Sequence, residues 1–255
     1  MMKRFALYFG IGLLSFTGFV VAFAPAAPFW SLVENDVGNA LPELKVQAIG
    51  GTVWSGNALL QYQDFPESRL RWVIDPWSLM DANAAIELNL KGEGHDLEGN
   101  ATVAADSGTL RDVSGFIHSE YVNRVSEGYG LTFAGQIDIS NLTVSADRRW
   151  ITGAEGRLHW TGGRILYRTY LGTRVFMLPP LDGHLSREED NLRLDLTHEQ
   201  QPVLDVVLQP TGWALVRLRG RLFELARLEW PEGQSPDDIV LQVDEKLFPG
   251  RAPTP

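Results

Sequence analysis

The sequence contains no cysteine, which excludes disulfides, thiolate metal sites and a cysteine nucleophile. Such a domain must be held by burial and strand pairing, and a chain of 255 residues is long enough to supply both. Basic residues are scarce as well: 22 Lys and Arg stand against 32 Asp and Glu, a net charge of −10. Phosphate backbones would be repelled, which argues against nucleic-acid binding. Catalytic signatures are missing too. The five histidines (His95, His118, His159, His184 and His198) fall in no close ligand spacing, and there is no Gly-x-Ser-x-Gly elbow, phosphate-binding glycine loop or calcium loop. Ala105-Asp-Ser-Gly-Thr109 mimics an aspartic-protease loop, but that chemistry needs two carboxylates sharing a proton and no second loop exists. The match reads as a turn. No enzyme and no cofactor is expected.

Long apolar runs are also few, and the one present is at the N-terminus. Phe5 to Phe23 carries no charge and has about the length that crosses a ~30 Å hydrocarbon layer as a helix. Phe5, Leu13, Leu14, Phe16, Phe19 and Phe23 supply its apolar bulk. Lys3 and Arg4 precede it while Glu34, Asp36 and Glu43 follow before the next basic residue. The positive-inside bias therefore predicts a single-pass inner-membrane anchor with a cytoplasmic N-terminus and a periplasmic bulk. Without Lys3 and Arg4 the remainder holds 20 basic against 32 acidic side chains. Small residues at Ala24 and Ala26 leave a cleaved signal peptide as the alternative. Phe29 and Trp30, placed like interfacial aromatics, and the length of the run favour retention.

Beyond Pro25 and Pro28, Ser31-Leu-Val-Glu34 matches a capping box, followed by apolar residues at helical spacing. A short juxtamembrane amphipathic helix is predicted there. From Val46 the apolar period changes to two, as in Ala84, Ile86, Leu88, Leu90 and in Leu192, Leu194, Leu196. One apolar and one wet face per strand means antiparallel sheet. Turn formers at Gly92 to Gly94, Asp106 to Gly108, Gly162-Gly163, Asp182-Gly183 and Glu188 to Asn191 separate the runs. Helical segments long enough for parallel wrapping are absent, apart from a short turn near Ser119 to Val125. The expected organisation is a stub and anchor over 1–28, a helix and linker over 29–45, an antiparallel, curved β domain over 46–248, and a tail over 249–255.

The stretch Val46-Gln-Ala-Ile-Gly-Gly51-Thr-Val-Trp54-Ser-Gly56-Asn-Ala58 is the most distinctive in the chain. With the leading apolar segment, Leu70-Arg-Trp72 and Asp75-Pro-Trp77-Ser-Leu79, it resembles the type II secretion system protein N family. The resemblance implies a bitopic, accessory inner-membrane part of the machine that exports folded proteins across the outer membrane. Its partners would be other inner-membrane or periplasmic components and the bilayer; the family is not known as an enzyme. The strand pattern also looks like the curved amphipathic sheets of AsmA-like lipid-handling proteins, which opens an alternative: a module binding lipid in an apolar groove.

In that motif Gly51, Trp54 and Gly56 read as a large aromatic on a strand beside glycines that let backbones approach or turn. Trp54, Trp72 and Trp77 are either core plugs or partner-facing aromatics. Arg217, Arg219 and Arg221 alternate with Val216, Leu218 and Leu222, placing three guanidinium groups on one face of a strand in an acidic domain. Either they pair with carboxylates on a neighbouring strand, or they meet an acidic partner or anionic headgroups.

Overall fold

The computed structural model describes residues 13, 15–16, 18–40, 43–63, 65–126, 128, 130–169, 172–229 and 233–247. Phe5 and Leu14 of the expected anchor, and the tail over 249–255, lie outside them. Residues 18–22 are helical, and among the described residues no helix is long and apolar enough to cross a membrane. Phe16, Phe19 and Phe23 are 62% or more exposed.

A helix, α1, follows over Ala26–Ala40. It starts before the capping box expected at Ser31, so Ser31 is interior and its hydroxyl donates to the Pro28 carbonyl (2.7 Å). Pro28 does not break this helix, because a residue in the first turn has no intrahelical use for an N–H. Pro25 does separate the two helical stretches: residues 23–25 leave the helix and Pro25 bridges to Thr52.

Sixteen strands follow among the described residues. Thirteen form one antiparallel sheet in the order β1 (Leu44–Gly51), β2 (Ser55–Tyr62), β3 (Ser68–Asp75), β4 (Ala84–Gly92), β5 (His95–Val103), β6 (Ser107–His118), β8 (Gln136–Asp147), β9 (Ile151–Trp160), β12 (Leu181–Glu188), β13 (Asn191–His198), β14 (Gln201–Leu208), β15 (Trp213–Arg219) and β16 (Ile239–Lys246). Nearly every neighbour in space is the neighbour in sequence, as short turns between alternating runs require. The sheet is open, with β1 and β16 at its edges.

The single expected sheet is supplemented by a second, three-stranded one. It is made by β7 (Leu131–Phe133), β10 (Gly163–Thr169) and β11 (Gly172–Leu178). The run from Leu131 to Ile139, whose Leu131, Phe133, Ile137 and Ile139 keep one alternating phase, is split because Gly135 adopts φ +100° and turns the chain from one sheet into the other. Asp182-Gly183 is not a turn but lies inside β12; just before it, at Pro179-Pro180, the chain passes from β11 of the small sheet into the large one. The turn near Ser119 is a helix, α2 (Ser119–Ser126).

Register carries the alternation across the large sheet. Ala58 pairs with Leu70, Leu70 with Leu90 and Leu90 with Leu97; Ile139 pairs with Leu158, and Leu196 with Leu204, Leu204 with Leu218 and Leu218 with Leu241. Each partner shares a face, so the apolar residues of successive strands form one band. Among the described residues no second layer covers it along most of its length, and most of these side chains are only half-buried. The chain exposes 17146 Å², where a compact protein of 28.4 kDa would expose about 11,000 Å² by the usual mass scaling. The packed cluster sits where the small sheet meets α3 (Gly220–Leu225): Ile165, Leu178 and Ala226 are buried there against Phe133, Trp160, Phe176, Leu222 and Leu225.

Candidate functional site

The first hairpin joins the N-terminal segment to the sheet. β1 ends at Gly51, whose φ of +87° suits only glycine well, because an added Cβ would lie 2.6 Å from the Ser55 carbonyl. Thr52, Val53 and Trp54 therefore form the turn itself and not part of a strand, and alternation does not decide where Trp54 points. Its indole N–H donates to the Val21 carbonyl (2.7 Å), and the Val53 N–H donates to the Ala24 carbonyl (2.9 Å). Both acceptors lie near the end of the N-terminal helical stretch, where carbonyls run short of i+4 donors; the Val21 carbonyl also accepts from the Ala24 N–H (3.3 Å). Trp54 is thus neither a simple core plug nor an open aromatic. It is a strut.

Trp72 supports the strut from β3. Its indole donates to the Val53 carbonyl (2.9 Å), and its ring lies over Gly56, the cross-strand partner. A Cβ at Gly56 would collide with that ring and stand 2.7 Å from the Gly50 carbonyl. A bare backbone at Gly56 is what lets the indole lie flat and reach the turn.

Trp77 is reached three residues after Ile74, whose N–H donates to the Trp54 carbonyl (2.7 Å). It sits in a 3-10 turn, Pro76–Asp81, started by the Asp75 carboxylate accepting from the Trp77 N–H (3.0 Å) and ended by Ala82 at φ +56°. Ser78 clamps the turn by donating to the Asp75 carbonyl (2.6 Å) and accepting from the Ala85 N–H (2.9 Å). The turn is rigid yet shows its apolar side chains to solvent: Trp77 is 74% and Met80 80% exposed.

The arginine series divides. β15 ends at Arg219, so Arg217 and Arg219 share a strand face while Arg221 belongs to α3. Asp205 on β14 is the cross-strand partner of Arg217 and is almost wholly buried. It accepts from Arg217 Nε (2.6 Å) and from Arg219 Nη2 (3.5 Å). Arg219 also donates to the Asp237 carbonyl (2.7 Å), and Arg221 pairs with the Asp237 carboxylate. All three guanidinium groups thus have acceptors within the chain.

A basic strip that alternation did not single out lies on β3 and β4. Arg69 and Arg71 are exposed, Lys91 is the cross-strand partner of Arg69, and with Glu67 and Asn89 they line a shallow open depression. The Arg-Leu-Arg-Trp alternation over 69–72 was the available signal. Lys91 is already paired to Asp96 (2.5 Å), whose carboxyl is held below its usual range first by that hydrogen bond and then by one from Asn89.

The remaining polar motifs are structural. Asp106 sits in the β5–β6 turn and pairs with Arg148 (2.8 Å). His159 meets Asp182 across β9 and β12 (2.7 Å). His95 is buried beneath Tyr121, with ring centroids 4.6 Å apart, and burial pulls its pKa down against weaker opposing effects of the Glu93 backbone and the Asp96 carboxylate. Among the described residues no group of three or more His, Asp or Glu is placed to hold a metal ion.

A sequence model of the family described as "Type II secretion system (T2SS), protein N" matches residues 42–232. The chain is similar to the Type II secretion system protein N of Aeromonas hydrophila, with 28% identity over 166 residues, covering 63% of this chain and 64% of that protein. No solved structure matches. The matched region begins just before β1 and takes in the Trp54 hairpin, the Trp77 turn and the arginine cluster.

Proposed function

The chain belongs to the type II secretion system protein N family, and from that premise we propose that it is a non-enzymatic, single-pass inner-membrane component of the type II protein secretion system. Phe5 to Phe23 spans the membrane, with Lys3 and Arg4 holding the N-terminus in the cytoplasm. The thirteen-stranded sheet stands in the periplasm and offers its surfaces to other inner-membrane or periplasmic parts of the machine. It serves assembly or accessory contacts during export of folded proteins across the outer membrane.

The observation that carries this reading is the fastening of the apolar segment into the first hairpin, through Trp54 to Val21 and Val53 to Ala24. Cleavage after Ala24 or Ala26 would discard both acceptors, whereas a retained anchor uses them to couple membrane and sheet. The mass of the protein isolated from membranes tests retention, and the expected result is the unprocessed chain. Crosslinking in cells followed by affinity capture should recover known secretion-system components. A processed form, or repeated recovery of none, refutes the proposal.

A second reading is supported by the uncovered apolar band, since an uninterrupted apolar surface of this extent usually meets a ligand or a partner. In that reading the sheet is a periplasmic lipid-binding module, and acyl chains lie along the band. Mass spectrometry of lipids retained after purification distinguishes the two: stoichiometric phospholipid supports the lipid module, and its absence removes it.

A further inference from the structure

We propose that the Pro76–Asp81 turn is a second membrane contact, inserting Trp77, Leu79 and Met80 into the headgroup boundary of the leaflet from which the anchor emerges. The proposal rests on the anchor reading above and adds to it a fixed attitude of the sheet on the bilayer.

Position comes first. The Trp54 carbonyl, one residue along from the Val53 amide that bonds Ala24, accepts from Ile74. Trp77 lies three residues further on, within about 10 Å even for a fully extended chain. The turn therefore stands beside the point where the apolar segment leaves the sheet. Aromatic and apolar side chains at that level sit in the boundary region, about 5–10 Å deep.

Presentation comes second. Trp77 (74%), Met80 (80%), Leu79 (48%) and Val73 (48%) are exposed at this corner, and Phe23, 62% exposed, ends the segment beside it. Flexible turns expose such side chains at little cost, but this turn is capped at both ends and clamped by Ser78. Its apolar residues cannot fold back to bury themselves. A lipid boundary relieves that exposure, and a Trp indole satisfies its N–H there while its ring stays in apolar surroundings.

Charge selects the lipid. No Lys or Arg lies between Val73 and Lys91, Asp75 and Asp81 flank the turn, and the exposed Arg71 just before Val73 shares a depression with Glu87, Glu98 and Asp112. Attraction to anionic headgroups is therefore not the driving force. The contact is with a zwitterionic surface, driven by apolar burial and insensitive to salt.

The cysteine-free sequence permits a direct test. Met80→Cys, labelled with an environment-sensitive fluorophore, is reconstituted as the full chain in phosphatidylethanolamine and phosphatidylcholine vesicles. Phe19→Cys reports the anchor, and Met177→Cys, on β11 and 62% exposed, reports an apolar site outside this corner. The expected result is blue-shifted emission at position 80, quenching by shallow lipid-borne spin labels, and iodide access lower than at position 177 by about two-fold or more, as partial burial at a lipid boundary requires. Added phosphatidylglycerol or salt should leave this unchanged. An inserted position 19 with a position 80 as iodide-accessible as 177 overturns the second contact and leaves the anchor standing. Iodide-accessible probes at both 19 and 80 overturn both. Insertion at 80 only with phosphatidylglycerol overturns the zwitterionic, apolar contact.

Discussion

Replacing Arg217 should cost more than replacing its partner Asp205, although the two remove the same ion pair. Asp205 has a side chain only 3% exposed and lies beside Asp195, its register partner on β13, while the Arg217 side chain is 25% exposed. Arg217→Met keeps most of the aliphatic stem but leaves a buried carboxylate held only by Arg219 at 3.5 Å and facing a second carboxylate. Removing one member of a buried pair costs ~3–5 kcal/mol, and the exposed flank of Arg217 brings the expectation to about 3 kcal/mol. Asp205→Leu instead leaves two guanidinium groups near water, Arg219 still bonded to the Asp237 carbonyl, and no carboxylate repulsion. About 1–2 kcal/mol is expected. For a chain of this size these values are melting shifts of about 6–12 °C and about 2–8 °C. The double variant should recover part of the loss, with a coupling of about 1–3 kcal/mol. Thermal and urea unfolding of the full chain in detergent, followed by circular dichroism and tryptophan fluorescence, measures all four proteins; coincident transitions justify the comparison. If Arg217→Met is no more destabilising than Asp205→Leu, or if the two effects simply add, the pair does not hold β14 to β15. The arginine strand would then be available to a partner.

Gly56→Val should force the Trp72 indole off the β1–β2 turn and destabilise by about 1–3 kcal/mol, as overpacking does; a melting temperature equal to the parent's would contradict the collision at that site. Trp54→Phe keeps an aromatic ring, though a smaller one, and loses the bond to the Val21 carbonyl, the lost bond alone costing about 1 kcal/mol. Protease cleavage near Pro25 and amide exchange at Val53 should both accelerate, while exchange in β13 and β14 stays unchanged. Because His95 binds its proton less readily when folded than at its ordinary 6.5, the unfolded chain takes up more protons below that value. Stability is therefore full above about pH 6.5 and falls on acidification through the window down to the lowered folded value. His95→Phe should flatten that slope in a pH series of urea midpoints, and an unchanged slope would place the proton uptake elsewhere.

Strand after strand was legible because a period of two is a local property: whichever residues pair, alternate side chains fall on opposite faces. The apolar band from Ala58 to Leu241 follows from that rule together with short turns, and so does antiparallel pairing. The absence of cysteine, the acidic balance and the uncharged run from Phe5 to Phe23 were likewise fully present in the letters. Other features depend on which distant groups meet. Alternation placed Arg221 with Arg217 and Arg219, but α3 begins at Gly220 and turns it to Asp237. The alternating phase shared by Leu131, Phe133, Ile137 and Ile139 was divided at Gly135, by its positive φ, into strands of two different sheets. Trp54 could be recognised as unusual but not as a strut, because its acceptor, the Val21 carbonyl, is a backbone group 33 residues away and carries no side-chain signature. Local periodicity is written in side-chain chemistry and survives without coordinates. The fastening of the N-terminal segment to the sheet is a backbone contact, and only the tertiary structure decides it.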